Sequence, residues 1–393
     1  MKILITTDWY IPAVNGVVTS VLNLKRGLEK RKHEVKILTL SHNTHTYEKD
    51  GVIYVGSINA GMVYPGARLN VLIQKDWKER ILEWKPDIVH SNCEFSTFFI
   101  AREISKKLDI PLLHTYHTIY ENYTHYFSPN RKWGRKIVIK FSRWIAEKTN
   151  GIIAPTEKVK TLLEGYGISQ LIYVIPTGID NEKYYQNTEK GKKIRERMKI
   201  PNDMTVLVYI GRMAKEKNCE ELLKAMKMLQ EEKVMLVMVG DGPHKEKLIE
   251  LSKQYGISQK TIFTGMISPQ QVNEYYGIGD IFVSASVSET QGLTYIEALA
   301  SGLVMLCRED LSLKGVIDNN ENGWMYKDLE DFVMKLKLYL KQPKLQDEMK
   351  YNAGKKTKMY SMDNFAESME NVYEKLIEEN LDKSDYKNRE IVC

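Results

Sequence analysis

Two cations follow a short apolar segment near the middle of the chain and could together hold a diphosphate. Thr205–Gly211 is predicted to be a buried strand, and Arg212 and Lys217 come soon after it. Arginine offers a planar fork of N–H donors and lysine a compact point charge, and both suit phosphate oxygens. Their role would be to neutralise the negative charge that develops on a departing diphosphate. Lys215 and Glu216 are interpreted as a solvated charge run.

Two glutamates eight residues apart follow a later strand. Glu289 lies at the end of a loop, and Glu297 lies in a helix predicted to run to about Ala300. The amides of Gly292 and Leu293 at the start of that helix could face a phosphate, because helix N-termini attract anions. Glu289 could bind sugar hydroxyls, and Glu297, about two turns deeper, could bind a ribose diol. The alternative for Glu297 is a buried helix carboxylate with a local partner.

Two glycine-containing turns are further places where the backbone could approach an anion. Gly16 lies between the first predicted strand and the first helix, where amides and the helix dipole favour negative charge. The turn Val239–Pro243 contains Gly240 and ends another strand, and its glycines allow positive φ or close approach of a ligand. An ordinary βα turn is the alternative at both places.

A histidine lies in an aromatic loop of the first half. His117 belongs to the segment His114–Tyr123, which follows the predicted strand Pro111–Thr115. A histidine at the carboxyl end of a strand could hydrogen-bond a transferred sugar or its acceptor. A structural role is the alternative for His117, and His114 is interpreted as structural.

The segment from Arg131 to Ile145 predicts a basic amphipathic helix. Residues 131 to 143 hold six basic and no acidic side chains, and a helical wheel separates an apolar arc from a basic one. Such a helix, with interfacial tryptophans, is typical of a helix that lies on an anionic membrane. The alternative is an apolar arc that packs on its own domain. The predicted membrane-binding residues are Lys132, Trp133, Arg135, Lys136, Lys140, Arg143 and Trp144.

Length and composition limit the class of protein. At 393 residues, two domains of about 150–200 residues are expected. No apolar run reaches the roughly 20 residues that span a bilayer, and the N-terminus is predicted to be a strand instead of a signal peptide. The cysteines form no Cys-x-x-Cys pair, which argues against a zinc site or disulfide framework and suits a reducing cytosol.

The positive charge is concentrated in the first half. The net charge of +6 divides into +8 through Tyr185 and −2 in the remainder. A basic first half suggests an anionic partner, although chance variation of the surface would give the same totals. We expect no nucleic acid, because no helix-turn-helix, zinc-finger or RNA-binding-sheet signature accompanies the basic stretch.

Strand and helix patterns alternate from end to end, which predicts parallel sheets with helices on both faces. A second series begins at Thr205, and the polar stretch Asp180–Asp203 is expected to include the linker. The predicted fold class is therefore α/β, with two doubly wound domains that face each other across a cleft. Ligands in such folds bind at the carboxyl ends of the strands, where the motifs above fall.

The order of these motifs resembles glycosyltransferase family 4, whose members are retaining enzymes with the GT-B fold of two Rossmann-like domains. The resemblance covers nearly the whole chain, to about Glu379. Its motifs are the Gly16 loop, Gly211-Arg212 with Lys217, Val239–Pro243, Glu289 with Glu297, and Pro176–Asp180, which matches the family's crossing point between domains. The domains implied are 1–180, with a C-terminal helix of about 363–393 crossing back, and 181–362.

The resemblance implies a role for each matching position. Arg212 and Lys217 would bind the donor diphosphate, and Glu289 the sugar. Glu297 would hold the ribose, and His117 matches the family's strand-end histidine. The implied catalytic residues are His117, Arg212, Lys217 and Glu289. The implied donor-binding residues are Gly16, Arg212, Lys217, Gly240, Ile267, Glu289, Gly292, Leu293 and Glu297.

A narrower resemblance concerns the acceptor. His117-Thr118 followed by Tyr120, Tyr123 and the basic helix is similar to bacterial glucosyltransferases that act on diacylglycerol. One segment departs from the family pattern, because Cys307–Ser312 stands where many members carry a Gly-Gly-rich turn. Sugar contacts from that loop are therefore not carried over to this chain.

The expected function is the retaining transfer of glucose from UDP-glucose to a membrane lipid, diacylglycerol. The enzyme would be cytoplasmic and peripheral on the inner face of the cell membrane. We expect no cofactor and no obligatory metal, because no Asp-x-Asp motif lies near the proposed site and two cations are at hand. The alternatives are a soluble or polyprenyl-linked glycan acceptor, a GT-B-fold sugar-nucleotide epimerase, and a non-enzymatic protein that binds anionic surfaces.

Overall fold

The protein forms two compact units. The structure, a computed structural model, describes residues 1–60, 68–70, 76–126, 128, 130–185 and 188–391. The first unit comprises Met1–Gly178 and Met362–Cys393, and the second comprises Ile179–Ser361. Each unit contains a sheet of mainly parallel strands between two layers of helices, so the predicted α/β class is confirmed.

The described part of the first unit has one eight-stranded sheet and a two-stranded ribbon. The strands are β1 Lys2–Thr6, β2 Glu34–Leu40, β3 Tyr47–Lys49, β4 Val52–Val55, β5 Ser57–Asn59, β6 Arg68–Asn70, β7 Ile88–Ser91, β8 Leu112–Thr115, β9 Gly151–Ala154 and β10 Ile172–Val174. The order of the large sheet is β10-β9-β8-β7-β1-β2-β4-β3, and all its pairings are parallel except that of β3 with β4. The strands β3 and β4 and the antiparallel β5–β6 ribbon are not among the predicted strands.

Helices cover both faces of this sheet because alternate strand residues point to opposite sides. The helices are α1 Gly16–Lys30, α2 Asp76–Trp84, α3 Ser96–Leu108, α4 Arg131–Ala146, α5 Glu157–Gly165 and the C-terminal helix, α13 Met362–Ile391, with a 3-10 turn at Tyr120–Tyr126. Ile3 and Ile5 of β1 pack with α1 and α13, whereas Leu4 packs with α2 and α3. Among the described residues, no helix is long and apolar enough to cross a membrane.

The second unit has a fully parallel sheet of six described strands. They are β11 Thr205–Ile210, β12 Val234–Val239, β13 Thr261–Gly265, β14 Ile281–Ser284, β15 Val304–Arg308 and β16 Gly323–Tyr326, in the order β13-β12-β11-β14-β15-β16. The helices are α6 Thr188–Arg197, α7 Cys219–Met228, α8 Lys245–Gln254, α9 Val272–Tyr276, α10 Leu293–Ala300, α11 Leu329–Lys341 and α12 Pro343–Lys356. Val208 packs on the face that α9 and α10 cover, and Leu207 packs on the face of α7 and α11.

The stretch Asp180–Asp203 differs from the prediction that it includes the linker. It belongs to the second unit and contains α6. Arg195 of α6 donates to Ile278 O at 2.7 Å and to Asp280 at 2.7 Å, which fixes the helix beside the sheet. The charged composition therefore marks a helix with one solvated face.

The C-terminal helix packs against α1 in the first unit. Arg31 and His33, just after α1, both contact the carboxylate of Glu370 in α13, and the His33 Nε2 distance is 2.8 Å. Gly27 makes the close packing possible, because a Cβ built there would lie 2.6 Å from the Cβ of Ala366. The α1–α13 contact therefore requires the small residue at position 27.

We expect Gly27→Ala to destabilise the first unit by about 1–3 kcal/mol, since an added methyl group would force the two helices apart. The matched control is Gly165→Ala at the end of α5, where an added Cβ meets no atom within 4 Å. That change should be neutral or stabilising by up to about 1 kcal/mol. Urea unfolding of both variants measures the difference, and equal stabilities would contradict the packing argument.

Candidate active site

The turn after β11 presents the two predicted phosphate-binding cations at the carboxyl edge of the second sheet. The Tyr209 hydroxyl donates to the carbonyl oxygen of Arg212 at 2.9 Å, which fixes the backbone of the turn. The amide of Met213 donates to Asp241 O at 2.8 Å and thereby joins this turn to the loop after the neighbouring strand β12. The backbone that carries both cations is therefore held from two sides.

Each of the two cations contacts a carboxylate. Lys217 Nζ donates to Glu289 Oε1 at 2.5 Å, and both side chains are largely buried. Arg212 forms an ion pair with Glu216, whose carbonyl also accepts from Ser288 Oγ at 3.1 Å. The interpretation of Glu216 as a solvated residue is therefore wrong, because it joins two loops of the site. Lys215 is exposed, as predicted.

The structure thus brings together residues far apart in the sequence. Lys217 follows β11 and Glu289 follows β14, and these strands are parallel neighbours in the sheet. The ammonium group predicted to bind phosphate lies against the carboxylate predicted to bind sugar. An arrangement of this kind can hold a diphosphate through the charge of the ammonium group, and sugar hydroxyls through a carboxylate that accepts their hydrogen bonds.

At two of the predicted positions, the backbone conformation and close neighbours explain why the residue is glycine. Gly240 has φ +128°, and a Cβ there would lie 2.1 Å from Gly211 O in the adjoining turn. Gly292 has φ +77° and precedes α10, where a Cβ would lie 2.3 Å from the ring of Tyr295. These glycines are required by the turns themselves, and their contact with a ligand stays a prediction.

Glu297 is a buried carboxylate. It is the fifth residue of α10, so it lies about one turn into the helix instead of the predicted two. The hydroxyl of Tyr276, in the preceding helix α9, donates to its Oε2 at 2.8 Å, and Tyr184 also donates to the carboxyl group. Burial raises the pKa of Glu297, and the two tyrosine hydrogen bonds oppose that rise.

This geometry matches the alternative given for Glu297, a buried helix carboxylate with partners of its own. Its contact with ribose stays a prediction. The tyrosines were missed by the sequence analysis because they lie 21 residues or more from Glu297. Ile267, another predicted donor-binding residue, follows β13 and packs partly against the apolar core of the same face.

His117, the predicted catalytic histidine of the first unit, follows β8. Its Nε2 lies 2.9 Å from Asn92 Oδ1, and Asn92 follows the neighbouring strand β7. Burial and the nearby His114 lower the pKa of His117 to about 3. The imidazole is therefore neutral at physiological pH, and because an amide oxygen only accepts, Nε2 carries the proton.

A cluster of buried polar side chains surrounds His117 and was missed by the sequence analysis. His114 Nε2 lies 3.5 Å from Glu94 Oε1, and the Tyr120 hydroxyl donates to the other oxygen of Glu94 at 2.5 Å. Asp8 follows β1, and its carboxylate accepts from the amide of Thr97 at 2.8 Å. Burial raises the pKa of Asp8 to about 6. Asp8 and Glu94 follow β1 and β7, whereas His114 lies in β8 and Tyr120 follows it, so no local motif links them.

Gly16 lies at the start of α1, as predicted, and it is exposed. The side chain of Asn15 caps this helix by accepting from the amide of Val18 at 3.0 Å. One of the first-turn amides is therefore already occupied. The use of Gly16 in donor binding stays a prediction.

The predicted basic helix is α4, and only part of its apolar arc is buried against the domain. One part packs on its own domain through Gly134, Val138, Ser142 and Ile145. Trp133 remains exposed, Trp144 is partly covered, and Arg135 forms an ion pair with Glu121 at 2.9 Å. The remaining predicted membrane-binding cations, Lys132, Lys136, Lys140 and Arg143, are exposed.

The thiols of Cys93, Cys219 and Cys307 are free and buried, and Cys393 lies outside the described residues. Burial raises the pKa of each of these three thiols. They are therefore thiols instead of thiolates near neutral pH, which does not suit a nucleophile.

Two family models match the chain, "Glycosyltransferase Family 4" over residues 14–183 and "Glycosyl transferases group 1" over residues 191–356. The alpha-monoglucosyldiacylglycerol synthase of Acholeplasma laidlawii is 32% identical over 398 residues, covering 97% of this chain and 98% of that protein. The synthase of the same name from Streptococcus pneumoniae is 35% identical over 338 residues, covering 83% and 75%. The chain belongs to glycosyltransferase family 4.

The fold agrees with this membership. A sucrose-phosphate synthase structure from Thermosynechococcus elongatus superimposes with a TM-score of 0.78 at 18% identity, covering 95% of this chain and 98% of that one. The GT-B class, with two Rossmann-like sheets, is therefore confirmed. The prediction of an enzyme, a UDP-sugar-dependent hexosyltransferase, is confirmed by the family and its relatives.

We expect Lys217→Ala to lower kcat by about 10²–10³-fold, since one preorganised donor to the leaving diphosphate is lost. Lys215→Ala is the matched control, because it removes the same charge two residues away from an exposed position. UDP release from the sugar donor measures turnover, and thermal unfolding checks that both variants fold. Equal losses in the two variants would contradict a specific role for Lys217.

We expect the ring protons of His117 to show no titration between pH 8 and pH 5, because its pKa is about 3. The unfolded chain takes up a proton at this residue below about pH 6.5, whereas the folded chain does not. The contribution of His117 to folding stability is therefore complete above pH 6.5 and is lost as the pH falls below it. NMR spectra assigned with His117→Gln measure the titration, and a midpoint near 6.5 would refute the expectation.

Proposed function

We propose that the protein transfers glucose from UDP-glucose to the free hydroxyl of diacylglycerol, with retention of the α configuration. The observation that carries this proposal is the end-to-end similarity to the Acholeplasma laidlawii synthase, whose name states an alpha-glucosyl product on diacylglycerol. The loop His117–Tyr123 and the exposed basic face of α4 support a lipid acceptor.

In this proposal the second unit holds the donor. Arg212 and Lys217 bind the diphosphate, and Glu289, which Lys217 already orients, receives the sugar hydroxyls. Glu297, positioned by its two tyrosines, receives the ribose. Amides at Gly16 and at Gly292–Leu293, with Gly240 and Ile267, complete the donor contacts.

The reaction exchanges one bond to the anomeric carbon for another. The acceptor oxygen forms a bond to that carbon as its bond to the β-phosphate oxygen breaks. The proton of the hydroxyl passes to a phosphate oxygen of the departing UDP, so no carboxylate nucleophile is needed. The two cations stabilise the charge on UDP, and neutral His117 hydrogen-bonds the sugar or the acceptor.

The first unit provides the membrane contact in this proposal. Each exposed cation of α4 contributes about 1 kcal/mol near an anionic surface, and several lie on one side of the helix. The enzyme would be peripheral on the cytoplasmic face of the membrane. We propose that no divalent metal is obligatory, since cationic side chains neutralise the diphosphate.

The test is transfer of radiolabel from UDP-glucose into lipid, with and without diacylglycerol and with EDTA. We expect a diacylglycerol-dependent glycolipid whose anomeric proton has the α coupling, and turnover that survives EDTA. A β anomer would contradict retention, and loss of turnover rescued by magnesium would contradict the metal-free proposal.

The other acceptors and activities give different results in the same assay. Label in a water-soluble or polyprenyl-linked product would indicate a glycan acceptor. Conversion of the free UDP-sugar without lipid would indicate an epimerase. A protein that binds vesicles but is indifferent to Lys217→Ala in every assay would be a surface-binding protein.

A further inference from the structure

Glu216 lies between Arg212 and Lys217 in the chain, and no binding role was predicted for it. It belongs to the 3-10 turn Lys215–Lys217, which follows β11 and precedes α7. Its carboxylate forms an ion pair with Arg212. The side chain of Glu216 is 18% exposed, whereas that of Arg212 is 43% exposed. The acid is therefore held within the protein, and its cationic partner reaches the solvent.

Backbone contacts fix the position of Glu216. Its carbonyl oxygen accepts from Ser288 Oγ at 3.1 Å, which anchors the turn to the loop after β14. The amide of Lys217 donates to Ala214 O at 3.0 Å and closes the turn on the other side. The backbone, and not the ion pair alone, therefore keeps this carboxylate beside Arg212.

Each predicted phosphate-binding cation is thus offset by a carboxylate of the protein itself. Glu289 offsets Lys217, and Glu216 offsets Arg212. A guanidinium has five N–H donors, so Arg212 can bind a diphosphate while Glu216 retains one of them. The negative charge of Glu216 then opposes that of the diphosphate. The affinity for a diphosphate is therefore lower than the two cations alone would give.

This opposition acts most strongly on the product UDP. Transfer of the sugar leaves UDP with a terminal phosphate, which gains further negative charge above about pH 6. Two cations without carboxylates beside them would bind this product more tightly than they bind the sugar donor. Because product release limits turnover in many enzymes, such tight binding would slow the enzyme. Glu216 is placed to reduce the difference.

We propose that Glu216 is a positioning residue that acts through Arg212: its carboxylate competes with the diphosphate for the guanidinium, limits the affinity for UDP and speeds UDP release. This role rests on the proposed function, because Arg212 is there assigned to the diphosphate. A residue that only stabilised the turn would strengthen UDP binding, whereas Glu216 is expected to weaken it.

The test is the binding of UDP to Glu216→Gln, measured by isothermal titration calorimetry. Glutamine keeps the length of the side chain and an oxygen that accepts from Arg212, but it carries no charge. Because Ser288 contacts the backbone of Glu216, the substitution also keeps that anchor. We expect the variant to bind UDP about three- to tenfold more tightly than the wild type, as suits a partly exposed charge contact. Unchanged or weaker binding would overturn the proposed role.

Three further variants show whether the effect follows the charge and passes through Arg212. Glu231→Gln removes the same charge from an exposed position before β12, at the opposite edge of the sheet, and should bind UDP like the wild type. Glu216→Asp keeps the charge and should have nearly the wild-type affinity. In an Arg212→Gln background, Glu216→Gln should lose most of its effect, since its partner is absent. An equal gain in both backgrounds would overturn the action through Arg212.

Release is measured by stopped-flow displacement of a fluorescent UDP analogue. The dissociation rate constant should fall about three- to tenfold in Glu216→Gln, because removal of an opposing charge at the site lengthens the lifetime of the complex. The control Glu231→Gln should release the analogue at the wild-type rate. An unchanged rate constant in Glu216→Gln would overturn the role in product release.

Arg212→Gln alone separates this role from the proposed function. We expect it to weaken UDP binding at least tenfold, because charged hydrogen bonds to the diphosphate are lost. If it binds UDP like the wild type, the assignment of Arg212 to the diphosphate fails, and the role of Glu216 fails with it. If it weakens UDP binding but Glu216→Gln does not strengthen it, the assignment stands and the role of Glu216 is overturned.

Discussion

The hydrogen-bonded ion pair between Lys217 and Glu289 is the interaction that joins the loops after β11 and β14 in the second unit. The two residues follow neighbouring parallel strands, so the sheet brings their loops to the same edge. Both side chains are largely withdrawn from water, and each charge therefore needs the other to offset its desolvation. The pair holds the two loops in place, and with them the cation and the carboxylate that are proposed to bind the diphosphate and the sugar.

Neighbouring contacts also hold the loops after β11 and β14 in place. The backbone of Arg212 is held by Tyr209, and Glu216 connects Arg212 to the loop that carries Ser288. Removal of one carboxylate would leave a cation free to move and a loop untethered. Side chains that never touch a ligand can therefore determine the geometry of those that do.

Much of the fold could be predicted from the sequence, because its central strands are short apolar runs bounded by glycine, proline or charge. The strand β11 was predicted to within one residue, as Thr205–Gly211 against Thr205–Ile210. The edge strand Tyr47–Lys49 was not, since all three of its side chains are exposed and carry no apolar pattern. The largely buried parallel strands β4 and β15 were also missed, so composition alone did not reveal every central strand. Edge strands form through backbone pairing that many sequences allow.

The site was predictable only in part, for a related reason. Motifs at strand ends located Arg212, Lys217 and Glu289, but not the contact of Tyr276 with Glu297 or that of Glu94 with His114. Those contacts join residues of different elements, and their spacing follows no helical or strand period. The apolar side of α4 was predicted with the same limitation. The helical wheel placed Val138 and Trp133 in one apolar arc, but the domain covers Val138 and leaves Trp133 exposed.

The polar cluster of the first unit contains buried groups that oppose stability. Glu94 Oε1 and both ring nitrogens of His114 are buried without a hydrogen bond among the described residues, although Oε1 and Nε2 lie 3.5 Å apart. Each such group costs about 1–3 kcal/mol relative to a paired one, and apolar residues could fill the same volume. The groups concentrate where β1, β7 and β8 end, beside neutral His117. Buried polar atoms without partners also occur away from this cluster, for example at Thr39 and Tyr339 among the described residues, so the cost alone does not mark a site. At the edge where ligands of such folds bind, the same groups retain hydrogen-bonding capacity for a substrate.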